Sequence, residues 1–389
     1  MEEKNRLFKK YIETRSQTVK LCEGLQPEDF SIQAASFVSP PKWHLAHTTW
    51  FFEEMVLKQF SKDYKTYNDT YAFLFNSYYN SLGERIGRHE RGLITRPTSN
   101  TIFKYRDYVD KHIEKLLESD LNTALETLII LGINHEQQHQ ELLITDLKYS
   151  FSHNPTYPEL SNTNFISDQN TKNTTDDAWI AIAEGVYTIG HQSKDFSFDN
   201  ELGVHRVFLE PFEISKDLVT NGDYIKFLES GAYSDPKYWL DDGWAWINSN
   251  AISKPLYWKK IEGKWFHYTV SGLKPIDKKA ILSHVSFYEA HAFAFWSGHR
   301  LPTEYEWEIA SKQFVWGTRW EWTNSAYLPY PKFKISKGAV GEYNGKFMVN
   351  LMVLRGASTA TAPNHSRNTY RNFFSPEMQW QLSGIRLVK

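Results

Sequence analysis

The fold class this sequence predicts is multidomain α and α+β, a four-helix bundle followed by an irregular, aromatic-rich domain of short strands and helices. Three observations lead there. A length of 389 residues is long for a single core, which makes two domains the natural expectation. The early chain carries helical spacing, most clearly in LNTALETLIILGINHEQQHQELLITD (Leu121 to Asp146), a run without proline. A polar stretch rich in Asn, Thr, Ser and Asp then intervenes, and beyond it the pattern shifts to short strand-like runs broken by Gly and Asn. The expected division is a helical bundle at 1–151, a polar linker at 152–177 and an α+β domain at 178–389.

Composition narrows the class. With 41% hydrophobic residues the chain can bury sizeable cores, and a net charge of −2 argues against nucleic acid or an anionic membrane as the main partner. Cys22 is the single cysteine, so no intrachain disulfide can form and a reducing compartment is expected. The start, MEEKNRLFKKYIETRSQ, is charged and amphipathic, unlike a signal peptide, and no apolar run approaches the ~20 residues that span a bilayer. The expectation is a soluble, cytoplasmic protein. The 61 aromatic residues (14 Trp, 22 Tyr, 25 Phe) exceed what cores alone need and point to pockets.

In chain order, an amphipathic pattern runs from Asn5 to about Lys20. SPPKWHLAHTTWFFEEMVLKQF places prolines ahead of helix formers, so a helix should begin near Pro41. Tyr67 to Gly92 is rich in Arg, Tyr and Asn and reads as a functional loop. RPTSNTIFKYRDYVDKHIEKLLES opens a third helix, with Ser99 or Asn100 as N-cap, and the Leu121–Asp146 run completes the bundle. After the linker, WIAIAEGVYTIG and HRVFLEPF read as strands, LVTNGDYIKFLES and SFYEAHAFAFWSGHR as helices. The remainder shows few long periodic elements and no internal repeat.

The last bundle helix carries the chemistry. Leu121, Leu125, Leu128, Gly132, His135, His139, Leu142 and Asp146 follow at steps of three or four and share one face. Two histidines at i and i+4 on such a stripe can close on one metal ion, with Glu141 as a carboxylate just beyond. A bundle interior is a usual place for such a site. The third ligand should come from the Pro41 helix, where His47 is the better candidate and His44 the competitor. Three neutral imidazoles would leave an ion its charge and open positions, the pattern of a catalytic site. HEQQH also matches the HExxH signature of zinc proteases, but the further downstream histidines and glycine are missing. Glu136, one step from His135, falls off the stripe.

SPPKWHLAHTTWFFEE, FNSYYNSLGERIGRHERGLITRPT and INHEQQHQELL resemble the DinB-like bundle of ergothioneine-biosynthesis sulfoxide synthases. HRVFLEPFEISKDLVTNGDYIKFL, RLPTEYEWEIA, WEWTNSAYLPYPKF, GEYNGKFM, VLRGAS and TYRNFFSP with SGIRLVK resemble their second domain. That domain has the formylglycine-generating-enzyme fold, related to C-type lectins. The resemblance implies a nonheme Fe(2+) enzyme that uses O2 to join C2 of hercynine (Nα-trimethylhistidine) to a thiol sulfur and oxidise that sulfur to the sulfoxide. The implied iron ligands are His47, His135 and His139, and Gln138 is implied to contact hercynine. Tyr327, Tyr330, Asn372 and Phe373 match the family's hercynine pocket, where aromatic faces suit a trimethylammonium group. Arg88 and Arg91 are candidates for the carboxylate of the thiol substrate.

Relatives that use γ-glutamylcysteine carry Asn-Trp-Asp where this chain has Asn372-Phe373-Phe374. With the Tyr78-Tyr79 pair, this resembles the branch that uses free cysteine. The proton donor is then Tyr79 or Tyr78, with Tyr327 as the other choice. The second half contains no cysteine, so the copper chemistry of formylglycine-generating enzymes is excluded there. The expected partners are hercynine, cysteine and O2, with no nucleic acid and no membrane. Competing readings are γ-glutamylcysteine as the thiol, a DinB-type metal-dependent thiol S-transferase, an ovothiol-type synthase acting on histidine, and a lectin-like binding module without catalysis.

Overall fold

The computed structural model describes residues 2–77, 83–118, 121–160, 178–335 and 344–389. The chain divides into two compact units, Met1–Asn164 with Ala360–His365, and Phe165–Thr359 with Ser366–Lys389. The hexapeptide Ala360–His365 thus belongs with the helical unit although it lies some two hundred residues downstream, which the helical pattern did not foretell. Of the expected linker, 161–177 lies outside the described residues.

The first unit is helical. Helix α1 is Glu2–Lys20 and α2 is Pro41–Phe51, continued by a π-helical turn over Phe52–Leu57 and by α3 (Lys58–Phe60). Short α4 (Tyr71–Leu74) and a 3-10 turn at Arg88–Leu93 follow, then α5 (Ser99–Glu118) and α6 (Thr123–Ser152). Pro40 as N-cap and Pro41 at the first helical position start α2, because a missing N–H costs nothing there. For α5 the expected cap is corrected. Thr98 caps it, its Oγ1 accepting from Thr101 N at 3.2 Å, since the hydroxyl one position earlier is the one that reaches the third backbone N–H. Asn122 caps α6 by accepting from Leu125 N.

All eleven residues of α2 are buried, and it packs against α5 and α6. Its contact with α6 requires Gly132. A Cβ there would lie 2.5 Å from Phe52 Cε1, 2.7 Å from Phe52 Cζ and 2.9 Å from Phe51 Cε1. In the π-helical turn, Glu53 is buried and accepts from the hydroxyls of Tyr64 and Tyr105, at 2.5 and 2.6 Å, and from Tyr67 N at 3.0 Å.

The second unit is α+β. Strands β1 (Trp179–Ile182) and β4 (Phe212–Ser215) pair antiparallel, as do β2 (Gly185–Ile189) and β3 (His205–Leu209). Helix α7 (Asn221–Glu229) matches the expected LVTNGDYIKFLES helix, whereas α8 (Asp241–Ser249) was not foreseen. A meander of β5 (Trp258–Ile261), β6 (Lys264–Thr269) and β7 (Gly272–Pro275) precedes α9 (Phe287–Trp296) and α10 (Glu304–Ala310). The final sheet has the order β10-β9-β8-β11, from β8 (Trp320–Ala326), β9 (Met352–Gly356), β10 (Asn372–Phe374) and a parallel β11 (Ser383–Gly384).

This unit's core is ionic as well as aromatic. RLPTEYEWEIA builds α10, whose Glu304 accepts from Arg371 at 2.8 and 2.9 Å and whose Glu308 pairs with Arg355. Glu321 on β8 accepts from Trp307 Nε1 and from Arg386 Nε, both at 2.6 Å. Arg355, Arg371 and Arg386 are essentially buried, a state guanidinium tolerates when paired, and Arg319, buried too, donates to the carbonyls of Thr318 and Ile281. Among the described residues no helix is long and apolar enough to cross a membrane.

Candidate metal centre

Within the first unit α2 and α6 bring His47, His135 and His139 together, with one ring nitrogen from each lying within 4.8 Å of the others. All three are buried, at 1%, 6% and 7% exposure. Water is therefore excluded from most of each ring, and burial holds every imidazole in its neutral, ligating form. Burial lowers the His135 pKa to about 4, and pushes His47 and His139 well below the ordinary histidine value, with the neighbouring rings adding to the shift.

Local packing fixes the rings. His47 is sandwiched by Trp43 and Trp50 on its own helix, stacked at 4.5 and 5.5 Å between centroids. Its Nδ1 donates to Phe75 O at 2.6 Å, so its lone pair sits on Nε2. His135 lies against Phe51 at 5.0 Å, and its Nδ1 is buried without a hydrogen-bond partner among the described residues. Nδ1 of His139 is 2.9 Å from Nδ1 of His44, whose Nε2 is 3.2 Å from Asp146 Oδ2. Three neutral, buried imidazoles each offering a ring nitrogen within 4.8 Å of the others are a donor set that fits a divalent transition metal. His44 makes no part of the three-histidine group; it stands behind His139.

Glu136 and Glu141 point elsewhere. Glu136 accepts from Arg15 Nη1 at 2.7 Å, from Thr18 Oγ1 at 2.6 Å and from Arg106 Nη2. Burial opposes its ionisation, but Arg106 and Arg15 outweigh that and hold its pKa at about 2, so it is no general base at neutral pH. Glu141 Oε2 accepts from Thr361 Oγ1 at 2.7 Å and is not in the metal group. One turn earlier Gln137 Oε1 lies 3.3 Å from His365 Nδ1.

The other expected site residues fall as follows. Gln138 is half-buried on α6, between His135 and His139. Arg91 is buried, bonds Ser39 Oγ and Ser77 Oγ at 2.9 Å each, and lies 3.4 Å over the Trp43 ring. Arg88, half-buried in the same 3-10 turn, keeps its Nε without a hydrogen-bond partner among the described residues. Tyr78 and Tyr79 lie outside the described residues. In the second unit Tyr327 is buried, stacks on Phe373 at 4.0 Å and accepts at its hydroxyl from Asn200 Nδ2 at 2.9 Å. Tyr330 donates to Glu304 Oε2 at 3.0 Å beneath the Arg371 guanidinium. Asn372 Oδ1 accepts from Phe373 N, and Phe374 meets Trp380 edge-on at 5.0 Å.

Sequence reasoning missed several supports. The Trp43, His47 and Trp50 stack was available from spacing, since i−4 and i+3 share a helix face. Asp146 stood on the metal stripe and could have been linked to His139. The Phe75 carbonyl and the Thr361 and His365 contacts come from remote segments, and no local pattern announces them.

Comparison with known proteins gives two domain matches. Residues 10–143 match the DinB superfamily and residues 165–319 the sulfatase-modifying factor enzyme 1-like domain. A hercynine oxygenase of Mycolicibacterium smegmatis is 26% identical over 310 residues, covering 66% of this chain and 70% of the relative. One of Mycobacterium tuberculosis is 27% identical over 240 residues, covering 49% of this chain and 56% of that protein. A formylglycine-generating enzyme of Thermomonospora curvata is 30% identical over 161 residues, 37% of this chain and 52% of its own length.

Proposed function

We propose that this chain, which is similar to hercynine oxygenases and matches the DinB superfamily over 10–143 and the sulfatase-modifying factor enzyme 1-like domain over 165–319, is an iron-dependent sulfoxide synthase of ergothioneine biosynthesis. The proposed substrates are hercynine, free cysteine and O2. In the overall reaction the C2–H and S–H bonds break and the C2–S bond forms. One oxygen atom ends on sulfur and the other leaves as water, which balances the four electrons taken by O2.

The observation that carries the reading is the convergence of three buried, neutral histidines with a lone pair of His47 already aimed by its bond to Phe75 O. Fe(2+) held by His47, His135 and His139 would supply O2 activation and a seat for the thiolate, whose negative charge would offset the 2+ that the neutral ligand set leaves uncompensated. The chain's own residues do the rest. Arg88, whose Nε has no hydrogen-bond partner among the described residues, is assigned to the cysteine carboxylate, and Gln138 to hercynine. A trimethylammonium group cannot donate hydrogen bonds and suits aromatic surroundings, so we assign it to Tyr327, Tyr330 and Phe373, with Asn372 and Phe374, on their match to the family's hercynine pocket. Tyr327 accepts from Asn200, which leaves its phenolic proton available; Tyr78 and Tyr79 are the other candidates for the proton donor.

The test is to load the protein anaerobically with Fe(2+), add hercynine, O2 and either cysteine or γ-glutamylcysteine, and weigh the products. Sulfoxide with cysteine is expected. No sulfoxide with either thiol would overturn the function, and sulfoxide only with γ-glutamylcysteine would overturn the substrate while sparing the centre.

A further inference from the structure

We propose that Asp146, acting through His44, sets the tautomer and ring orientation of His139 and is thereby a positioning residue of the metal centre; this rests on the reading of His139 as a metal ligand. The argument is one of donors and acceptors. A neutral imidazole carries one N–H and one lone pair. Oδ2 of Asp146 accepts from the Ser39 backbone N–H at 2.8 Å, which pins the carboxylate, and it lies 3.2 Å from His44 Nε2. A carboxylate oxygen can only accept, so His44 carries its hydrogen on Nε2 and its lone pair on Nδ1. That lone pair faces His139 Nδ1 at 2.9 Å, so His139 must carry its hydrogen on Nδ1. Its Nε2 is then the ligand atom. The reverse assignment would set the His44 Nε2 lone pair against a carboxylate oxygen in a space with almost no water, where His44 is 2% and Asp146 1% exposed.

The three ligands are thus supported differently. His47 leans on a carbonyl, and His135 Nδ1 has no hydrogen-bond partner among the described residues. Among the described residues His139 alone of the three is tied to an anion, through a second imidazole. Such outer partners fix ring orientation and raise ligand basicity, and their loss costs about 10–100-fold in metal affinity. The sequence geometry is economical. His44 precedes His47 by three residues on α2 and Asp146 follows His139 by seven on α6, so each helix supplies both a ligand and a support.

The experiment compares four proteins by anaerobic Co(II) titration, thermal melting and 15N-histidine NMR of the metal-free state. These are wild type, Asp146→Ala, Asp146→Asn and the double variant Asp146→Ala with His44→Gln. Asp146→Ala should lose about 10–100-fold in Co(II) affinity and show His139 no longer held as the Nδ1–H tautomer. Asp146→Asn keeps an acceptor oxygen for Ser39 and His44 and should bind as wild type does. In the double variant the Gln amide oxygen accepts from His139 Nδ1 unaided, so affinity should return while the melting temperature stays as low as in Asp146→Ala. If affinity follows melting temperature in every variant, or His139 carries Nε2–H in metal-free wild type, the proposal falls. Should wild type bind no Co(II), the metal reading fails instead, while the NMR arm still decides the tautomer.

Discussion

Glu136→Gln separates the metal-helix reading from the protease one most sharply. The carboxylate is fully buried between Arg15 and Arg106, whose side chains are 4% and 3% exposed, and it also accepts from Thr18. Gln keeps the shape but takes the anion from Arg106 and leaves Arg15 with Asp110, 2.7 Å away, as its remaining carboxylate. Breaking a buried pair in this way costs about 3–5 kcal/mol. An independent route gives a similar size: a carboxyl lowered from 4.5 to about 2 on folding contributes about 3 kcal/mol at neutral pH. For a domain of this size about 3 kcal/mol lowers the melting temperature by roughly 6–12 °C. Because the folded value is the lower one, the contribution is complete above pH 4.5 and is lost as pH falls toward 2. The gap between wild type and variant should therefore close over that window. The assay is calorimetry across pH together with Co(II) titration at pH 7. A protease base predicts the opposite pattern, with stability kept and turnover lost. A melting temperature within about 1 °C of wild type at pH 7 would refute the reasoning.

Three further outcomes are expected. Alanine at His47, His135 or His139 should each abolish stoichiometric iron binding, measured by metal analysis after gel filtration, and retention of one iron per chain in any of them would remove that residue from the ligand set. Gly132→Ala should destabilise by about 1–3 kcal/mol in urea titration, because Phe51 and Phe52 are buried and cannot yield to the new Cβ, outweighing a helix-propensity gain of at most about 1 kcal/mol. Arg91→Ala should cost about 3 kcal/mol of stability through its serine bonds and its stacking on Trp43, whereas Arg88→Ala should leave the melting temperature unchanged and raise the KM for the thiol; the reverse pattern would exchange their roles.

The helical unit was legible because its signals are local. Pro41 starting α2, the unbroken Leu121–Asp146 run and the i, i+4 histidines all depend on spacing within one element, and each appears where spacing puts it. The second unit was read less well for a physical reason. Its final sheet joins β10, β9, β8 and the two-residue β11, segments short enough that alternation hardly registers. Much of what holds it is charge, as where Glu304 on α10 meets Arg371 sixty-seven residues away. Such pairings look like surface charges in a sequence. Helix α8 escaped notice because DDGWAWINS mixes Gly and Trp where a helix former was expected.

The string HEQQHQE shows how far letters mislead and azimuth does not. Each residue along a helix turns by about 100°, so i, i+4 pairs share a face while neighbours do not. His135 and His139 converge on His47 of α2. Glu136 and Gln140 point to α1, where Gln140 Nε2 donates to Thr14 O at 2.9 Å and to Thr18 Oγ1 at 3.0 Å. Gln137 and Glu141 face the hexapeptide that ends in His365. One stretch of under two turns therefore has three separate duties, and the geometry that makes His135 and His139 converge directs the glutamate between them onto another face. In a protease the same four-residue spacing works only if the glutamate can reach metal-bound water. Here two arginines and a threonine already hold it on another face, so the motif matches in spelling and differs in chemistry.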